Sequence, residues 1–328
     1  MTEPSAPVVD APQTPPGQPA AESADLAAQR VVGLRHPWRW ILTAIVLVVV
    51  AQAVHGLVTN PFYQWDRFGY WFLRPVILDG LLITLKVAAW SAVLGLLGGV
   101  VLALGRLSKS PVLRSVAWVY IWLFRSIPLI VVLLFLYNVS ALYKTLSLGI
   151  PFGPGFVHFS ESSLATDMVV AIVGLSLNEA AYAAEVVRAG VLSVDQGQHE
   201  AASALGLPKG YQFTRIVFPQ ALRAIVPSYV NQLIGLIKST SLVFYVSLLD
   251  LFGQVQSMGS TYPGDIVPLL MVATLWYVIL TSVVSVVQYY VERYYSRGAL
   301  RTVPPTPLQK LRAGIKALRA RIEIGSAT

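Results

Sequence analysis

The sequence predicts an all-α integral membrane protein with six transmembrane helices and short helices in a cytoplasmic loop. Three observations carry this. Apolar residues fill 55% of the 328 positions and charged residues only 12%, against about 25% charged in a soluble domain. Six apolar runs each approach the length of about twenty residues that crosses a hydrocarbon core of roughly 30 Å. Lysines and arginines fall on alternate sides of those runs, eighteen on one side and three on the other, the asymmetry that orients a chain in a bilayer.

Residues 1–28 hold six prolines in their first twenty positions and little apolar content. Such a segment buries too little surface to offset chain entropy and is expected to be a disordered cytoplasmic tail. It lacks the basic start and apolar centre of a signal peptide. The first run, 40–58, follows Arg30, Arg35 and Arg39, shows no small-residue cleavage site, and reads as a retained span. With the outer loop after it, it forms an N-terminal segment at 29–74, ahead of the main transmembrane domain at 75–298.

The remaining runs are 79–105, 126–146, 167–188, 224–247 and 267–291. Apolar character around the third extends from Val112 to Leu142, about 46 Å as one straight helix at roughly 1.5 Å per residue, and Arg125 and Pro128 interrupt it. The expected arrangement is an interfacial helix over Val112–Phe124 and a span beginning near Pro128. With the N-terminus inside, the outer loops carry only Arg67, Arg74 and Lys144. Lys86 and Arg125 lie near span edges, where long cationic side chains snorkel to the interface. Both termini, and the polar stretch between the fourth and fifth runs, are expected in the cytoplasm, in a multi-pass plasma-membrane protein.

That polar stretch, 193–223, has helix punctuation. Ser193-Val194-Asp195-Gln196 has the S-x-x-Q form of a capping box, predicting a helix over Val194–Leu205. Gly206 suits the left-handed position after a helix end, and Pro208 suits the first turn of the next helix. Ala201, Ala202 and Ala204 make the first helix narrow, so Glu200 on its slim body can enter a cleft. A polar helix–turn–helix between two spans has little use in lipid and is expected to dock something on the aqueous side.

The chain contains no cysteine, which excludes disulfides, thiolate metal sites and a cysteine nucleophile. His36, His55, His158 and His199 are scattered without ligand spacing, so no metal is expected. The net charge of +8 is spread over loops and tail, which does not make a nucleic-acid stripe. No Gly-Lys dipeptide occurs, so there is no Walker A phosphate loop.

Glu200-Ala201-Ala202-Ser203-Ala204-Leu205-Gly206, followed after nine residues by Ile216-Val217-Phe218-Pro219, resembles the EAA loop of ABC-importer permeases. Further segments are similar to the polar-amino-acid subfamily. They are Ala181-Tyr182-Ala183-Ala184-Glu185 running through Arg188, Gly190 and Ser193-Val194; Gln196-Gly197-Gln198-His199; Phe218-Pro219-Gln220-Ala221-Leu222-Arg223; Lys238-Ser239-Thr240-Ser241-Leu242; and Gly80 with Thr84-Leu85. The likeness covers about 75–298. Arg125-Ser126-Ile127-Pro128 departs from the family's R-G-T-P, Phe218 replaces the generic leucine, and the span at 40–58 is extra to the common five-span members.

The resemblance implies a type I importer permease: a five-helix core plus one N-terminal span, paired with a second permease subunit that is either a copy or a paralogue. ABC ATPase subunits would bind inside, and an extracytoplasmic solute-binding protein would deliver a polar amino acid outside. ATP and Mg would be held by the ATPase, with no cofactor in this chain, which would not itself be an enzyme. Gly197, Gln198, Glu200, Ala201, Ala202, Gly206, Ile216 and Pro219 would then couple to the ATPase.

Ionisable residues inside spans face bundle interiors or cavities. Asn178, Glu179 and Tyr182 lie mid-span, with Tyr182 at i+3 from Glu179 and i+4 from Asn178. Lys238 lies about fourteen residues into the next span, roughly 20 Å by helix rise. Either Glu179 and Lys238 pair to hold the bundle, or they line a substrate pathway with Thr240 and Ser241, Glu179 facing an α-ammonium and Lys238 an α-carboxylate. Glu185 and Arg188 are expected to form a structural i,i+3 ion pair. In the tail, 299–328, Leu308, Leu311, Ile315, Leu318 and Ile322 make an apolar stripe among basic residues. That is a helix for a membrane-lipid surface, or for contact with the ATPase or the second permease. Two other functional classes fit parts of the pattern: a secondary transporter using Glu179 as an ion site, and a non-transporting membrane scaffold.

Overall fold

The computed structural model describes residues 37–139, 145–149, 155–160 and 166–295. The expected disordered segment at 1–28 and the basic stripe at 308–322 lie outside them. The chain divides into two compact units, Met1–Asn60 and Pro61–Thr328. In the first, helix α1 (Pro37–Thr59) is apolar round its circumference, the surface of a helix made for hydrocarbon.

The second unit starts earlier than the expected domain boundary at 75. A 3₁₀ turn at Pro61–Tyr63 leads into α2 (Trp65–Phe72), which buries Trp71. Trp71 packs with Ile77, Leu251, Leu269 and Val272 in one apolar cluster. Trp71 Nε1 also donates to Asp265 Oδ2 at 2.8 Å, and Arg67 forms a two-pronged ion pair with the same carboxylate. Residues 61–74, expected as outer loop, are thereby tied to the start of the last helix.

Helix α3 (Pro75–Leu107) opens with proline at N1 behind an extended Arg74, the position where proline's missing N–H costs nothing. Its buried face is a stripe of small residues, Gly80, Thr84, Ala88, Ser91, Gly95, Gly99 and Ala103, which lets another backbone approach closely. Helix α4 (Pro111–Ser126) is capped by Ser110. It ends at Ile127, held extended ahead of Pro128, as the proline ring disfavours the helical region for the residue before it. Helix α5 (Leu129–Tyr137) leaves at 100° to α4. A helix before the break and the break at Pro128 thus appear where the sequence put them, but α5, at nine residues, is too short by itself to be the span expected from there.

Strands β1 (Thr145–Gly149) and β2 (Gly155–Ser160) pair antiparallel, with Leu146 opposite Phe159. Helix α6 (Asp167–Leu192) sets Ala180, Ala183 and Ala184 against α3, while its Gly174 meets Leu133 of α5. Helix α7 (Gln196–Ala204), helix α8 (Lys209–Gln212) and a π-helical turn at Phe213–Val217 form the polar excursion. Helix α9 (Phe218–Ser239) tightens into a 3₁₀ segment, Thr240–Val246, then bends through Ser247 at φ 65°. Helix α10 (Leu251–Thr261), not anticipated from the sequence, is set at 47° to the helical stretch before it. A turn at Pro263–Asp265 leads to α11 (Ile266–Tyr295). Among the described residues four helices are long and apolar enough to cross a membrane, or six if each bent pair counts as one span.

Candidate functional site

A cavity of about 460 Å³ forms where the α4–α5 bend, α6 and α9 converge. The bend contributes Arg125, Ser126 and Pro128; α6 contributes Asn178, Glu179 and Tyr182; α9 contributes Gln232 and Ser239. Helix periodicity explains the groups. Asn178/Tyr182 are four apart, and Gln232 and Ser239 are seven apart, so each set shares one face.

Glu179 is the buried acid of this cavity, 4% exposed, and Gln232 Nε2 donates to its Oε1 at 3.0 Å. Tyr229, one turn earlier on α9, donates to the Ala92 carbonyl of α3 at 2.6 Å. The Arg125 guanidinium lies 5.3 Å from the centre of the Tyr182 ring, within range of cation–π attraction. One carboxylate and one guanidinium therefore line the same small space, which also offers the amides of Asn178 and Gln232.

Three of the expected pathway residues, Asn178, Glu179 and Tyr182, are brought together here. The other three are not. Lys238 is exposed at the end of α9 and makes no ion pair with Glu179. Thr240 is buried with its hydroxyl turned back to the Ile237 carbonyl at 2.8 Å, and Ser241 likewise bonds the Lys238 carbonyl. These hydroxyls satisfy carbonyls at the end of α9, where the helix tightens. The cavity cation is Arg125 instead, and Gln232 and Ser239 join it without having been singled out. Their signal in the sequence is their seven-residue spacing, which places both on one helix face.

The polar excursion is a helix–turn–helix. Asp195, not Ser193, caps α7, its Oδ1 accepting from Gly197 N at 2.7 Å. Ser193 ends α6 instead, its hydroxyl donating to the Gly190 carbonyl at 2.8 Å. Gly206 sits at φ 69°. Leu207 N reaches the Ala202 carbonyl and Gly206 N the Ser203 carbonyl, at 3.2 and 3.0 Å, the paired bonds of a Schellman motif. Pro208 caps α8 rather than occupying its first turn. Gln212 Nε2 donates to the Leu207 carbonyl at 2.7 Å and stiffens the turn. Phe218 N bonds the Phe213 carbonyl, a widened register one residue before Pro219, which has no N–H to give.

Gly197, Gln198, Glu200 and Ala201 are exposed, as are Gly206 and Pro219; Ala202 is buried and Ile216 half-buried. Ala202 thus holds α7 down while Glu200 and Leu205 face out. Glu185 and Arg188 pair on α6, with Arg188 Nε and Nη2 reaching Glu185 Oε2 at 3.1 and 2.7 Å.

The family described as the binding-protein-dependent transport system inner membrane component matches residues 95–297, a stretch holding both the cavity and the helix–turn–helix. The chain belongs to that family. The permease is 37% identical over 296 residues to the arginine transport system permease protein ArgU of Corynebacterium glutamicum, across 89% of this chain and 91% of that one. It is 36% identical over 230 residues to the glutamate/aspartate import permease protein GltK of Escherichia coli, covering 69% and 97% of the two chains. Among solved structures the permease resembles an amino acid ABC transporter crystallised with histidines, with a TM-score of 0.58, 29% identity, and 67% and 94% of the two chains covered. A chain of the inward-facing MetNI methionine ABC transporter shares the fold, with a TM-score of 0.52 and 21% identity over 69% and 96% of the two chains.

Proposed function

We propose that the permease is the membrane-spanning subunit of an ATP-driven importer for polar amino acids, and that the cavity between α4–α5, α6 and α9 is part of the solute's path. The observation that carries this is the opposite-charge lining, Arg125 and Glu179, in one cavity of about 460 Å³. A zwitterion presents a carboxylate and an ammonium, and a charge-assisted bond to each is stronger than neutral pairing. Relatives named for arginine and for glutamate/aspartate transport support the substrate class.

The energy enters from a separate ATPase that binds ATP and Mg. Glu200 and Ala201 on α7 and the exposed Leu205 just after its end, with Tyr211 and Phe213 beyond the turn, form the surface that seats in it. The distribution of basic residues supports placing this surface, both termini and the Arg188 end of α6 in the cytoplasm. A second permease subunit and an extracytoplasmic binding protein complete the assembly, and the basic stripe at 308–322 rests on membrane lipid. The Glu185–Arg188 pair joins the cavity helix to the coupling segment.

Gentle detergent purification followed by reconstitution tests the whole reading. ATP-dependent uptake of a polar amino acid in liposomes is expected only with the ATPase and binding protein present. Uptake by this chain alone would overturn it in favour of a secondary transporter.

A further inference from the structure

Helices α3 and α6 meet unusually closely at Gly95. A Cβ built there would lie 2.5 Å from Glu179 Cγ and 2.6 Å from Glu179 Cβ, far inside van der Waals contact. The stem of Glu179 therefore occupies the volume that any side chain at 95 would need. Three positions on, at Gly98, the same two helices are merely tight, with a Cβ 3.1 Å from Ala180 Cβ. From its notch the Glu179 side chain crosses to α9, where Gln232 Nε2 holds Oε1 at 3.0 Å. The Tyr229 hydroxyl ties α9 to α3 at the same level.

We propose that Gly95 and Gln232 are positioning residues that together fix where the Glu179 carboxylate is presented to the cavity. This rests on the reading of that cavity as a solute site. Gly95 does not line the cavity and has no side chain with which to touch a solute, so it acts only through Glu179. An alanine at 95 must either rotate the glutamate out of its notch or push α6 away, moving the carboxylate by about an ångström. Misplacement on that scale in a charge-recognising site costs on the order of a hundredfold at most. Loss of the Gln232 amide frees the carboxylate to swing without altering helix spacing.

The test is equilibrium binding of L-arginine to the purified permease–ATPase complex by calorimetry. Gly95→Ala and Gln232→Leu are each expected to raise the dissociation constant about tenfold, the equivalent of one charged hydrogen bond. Gly98→Ala, which presses the same helices without meeting Glu179, is expected to stay within about twofold of the unaltered complex. In a Glu179→Ala background Gln232→Leu is expected to have no further effect. Equal losses for Gly98→Ala and Gly95→Ala, or additive losses for Gln232→Leu and Glu179→Ala, would overturn the positioning role. Where the Gly95 variant does not assemble, the Gln232 cycle decides alone. Unchanged arginine binding in Glu179→Ala by itself would instead sink the cavity reading on which the proposal stands.

Discussion

Thr84 and Asp250, far apart in sequence, cap one helix between them. The Thr84 hydroxyl donates to Asp250 Oδ2 at 3.2 Å and accepts from Leu251 N at 3.0 Å. Asp250 Oδ1 in turn accepts from Gly253 N at 2.9 Å, and Tyr277 OH donates to Oδ2 at 3.2 Å. Both Thr84 and Asp250 are fully buried. Gly80 belongs to the same joint, because a Cβ there would come within 2.9 Å of the Asp250 carbonyl oxygen. The Gly80–Thr84 spacing read from the sequence is thus a docking joint for α10.

Thr84→Val keeps the shape and removes the hydroxyl, leaving the buried Leu251 N–H without that partner. The expected cost is about 1–3 kcal/mol, seen as a lower melting temperature of the detergent-solubilised permease, with Thr84→Ser close to unaltered. An unshifted melting curve for Thr84→Val would show that the joint contributes little.

The turn between α7 and α8, which we propose seats in the ATPase, depends on Gly206. Its φ of 69° disfavours any residue with a Cβ by about 1–2 kcal/mol, although there is open space around it. Gly206→Ala is expected to weaken retention of the ATPase on gentle purification, and Gly206→Val to weaken it further. Gly210→Ala, with equally open space and no positive φ, is expected to be neutral. Equal retention in all three would separate the turn from ATPase docking.

The cap of α7 discriminates between two residues two positions apart. Asp195→Ala removes the acceptor for Gly197 N and is expected to cost about 1 kcal/mol of local helix stability, whereas Asp195→Asn retains most of it. Ser193→Ala leaves α7 capped. Hydrogen exchange of the amides at 197–199 reads the difference, and faster exchange in Ser193→Ala than in Asp195→Ala would reverse the assignment.

The same pair shows how far the sequence could be read. Ser193 and Asp195 are both good caps, and S-x-x-Q outscores a lone aspartate until the end of α6 claims the serine. Pro128 is legible because a proline disfavours the helical region for the residue before it, a bias that packing overrides at Pro219 and Pro227, and Gly206 because backbone sterics are local. Helix α10 was missed because Gln254, Gln256 and Ser257 break its apolar pattern. Only packing against α3 and α11 reveals that Leu251, Val255 and Gly259 form a buried stripe. Glu179 was legible as an acid where acids are costly, while its neighbours Gly95 and Gln232 were not, since both depend on which helices meet.

Lys238 and Arg125 exchange the roles that counting along the chain suggests. Depth measured by helix rise puts Lys238 deep in a span, but α9 ends there in a 3₁₀ turn and the side chain is exposed. Arg125 reads as an edge residue, yet the 100° bend beside it brings it into the cavity above Tyr182. If a solute carboxylate is received in this cavity, Arg125→Ala removes its cationic partner and Lys238→Met does not. The first is expected to raise the apparent KM for amino-acid uptake about tenfold or more, the scale of a lost charge-assisted bond. The second is expected to leave KM near the unaltered value. Substrate-saturation curves in reconstituted liposomes give the answer directly, and a larger shift for Lys238→Met would return the anion-binding role to α9.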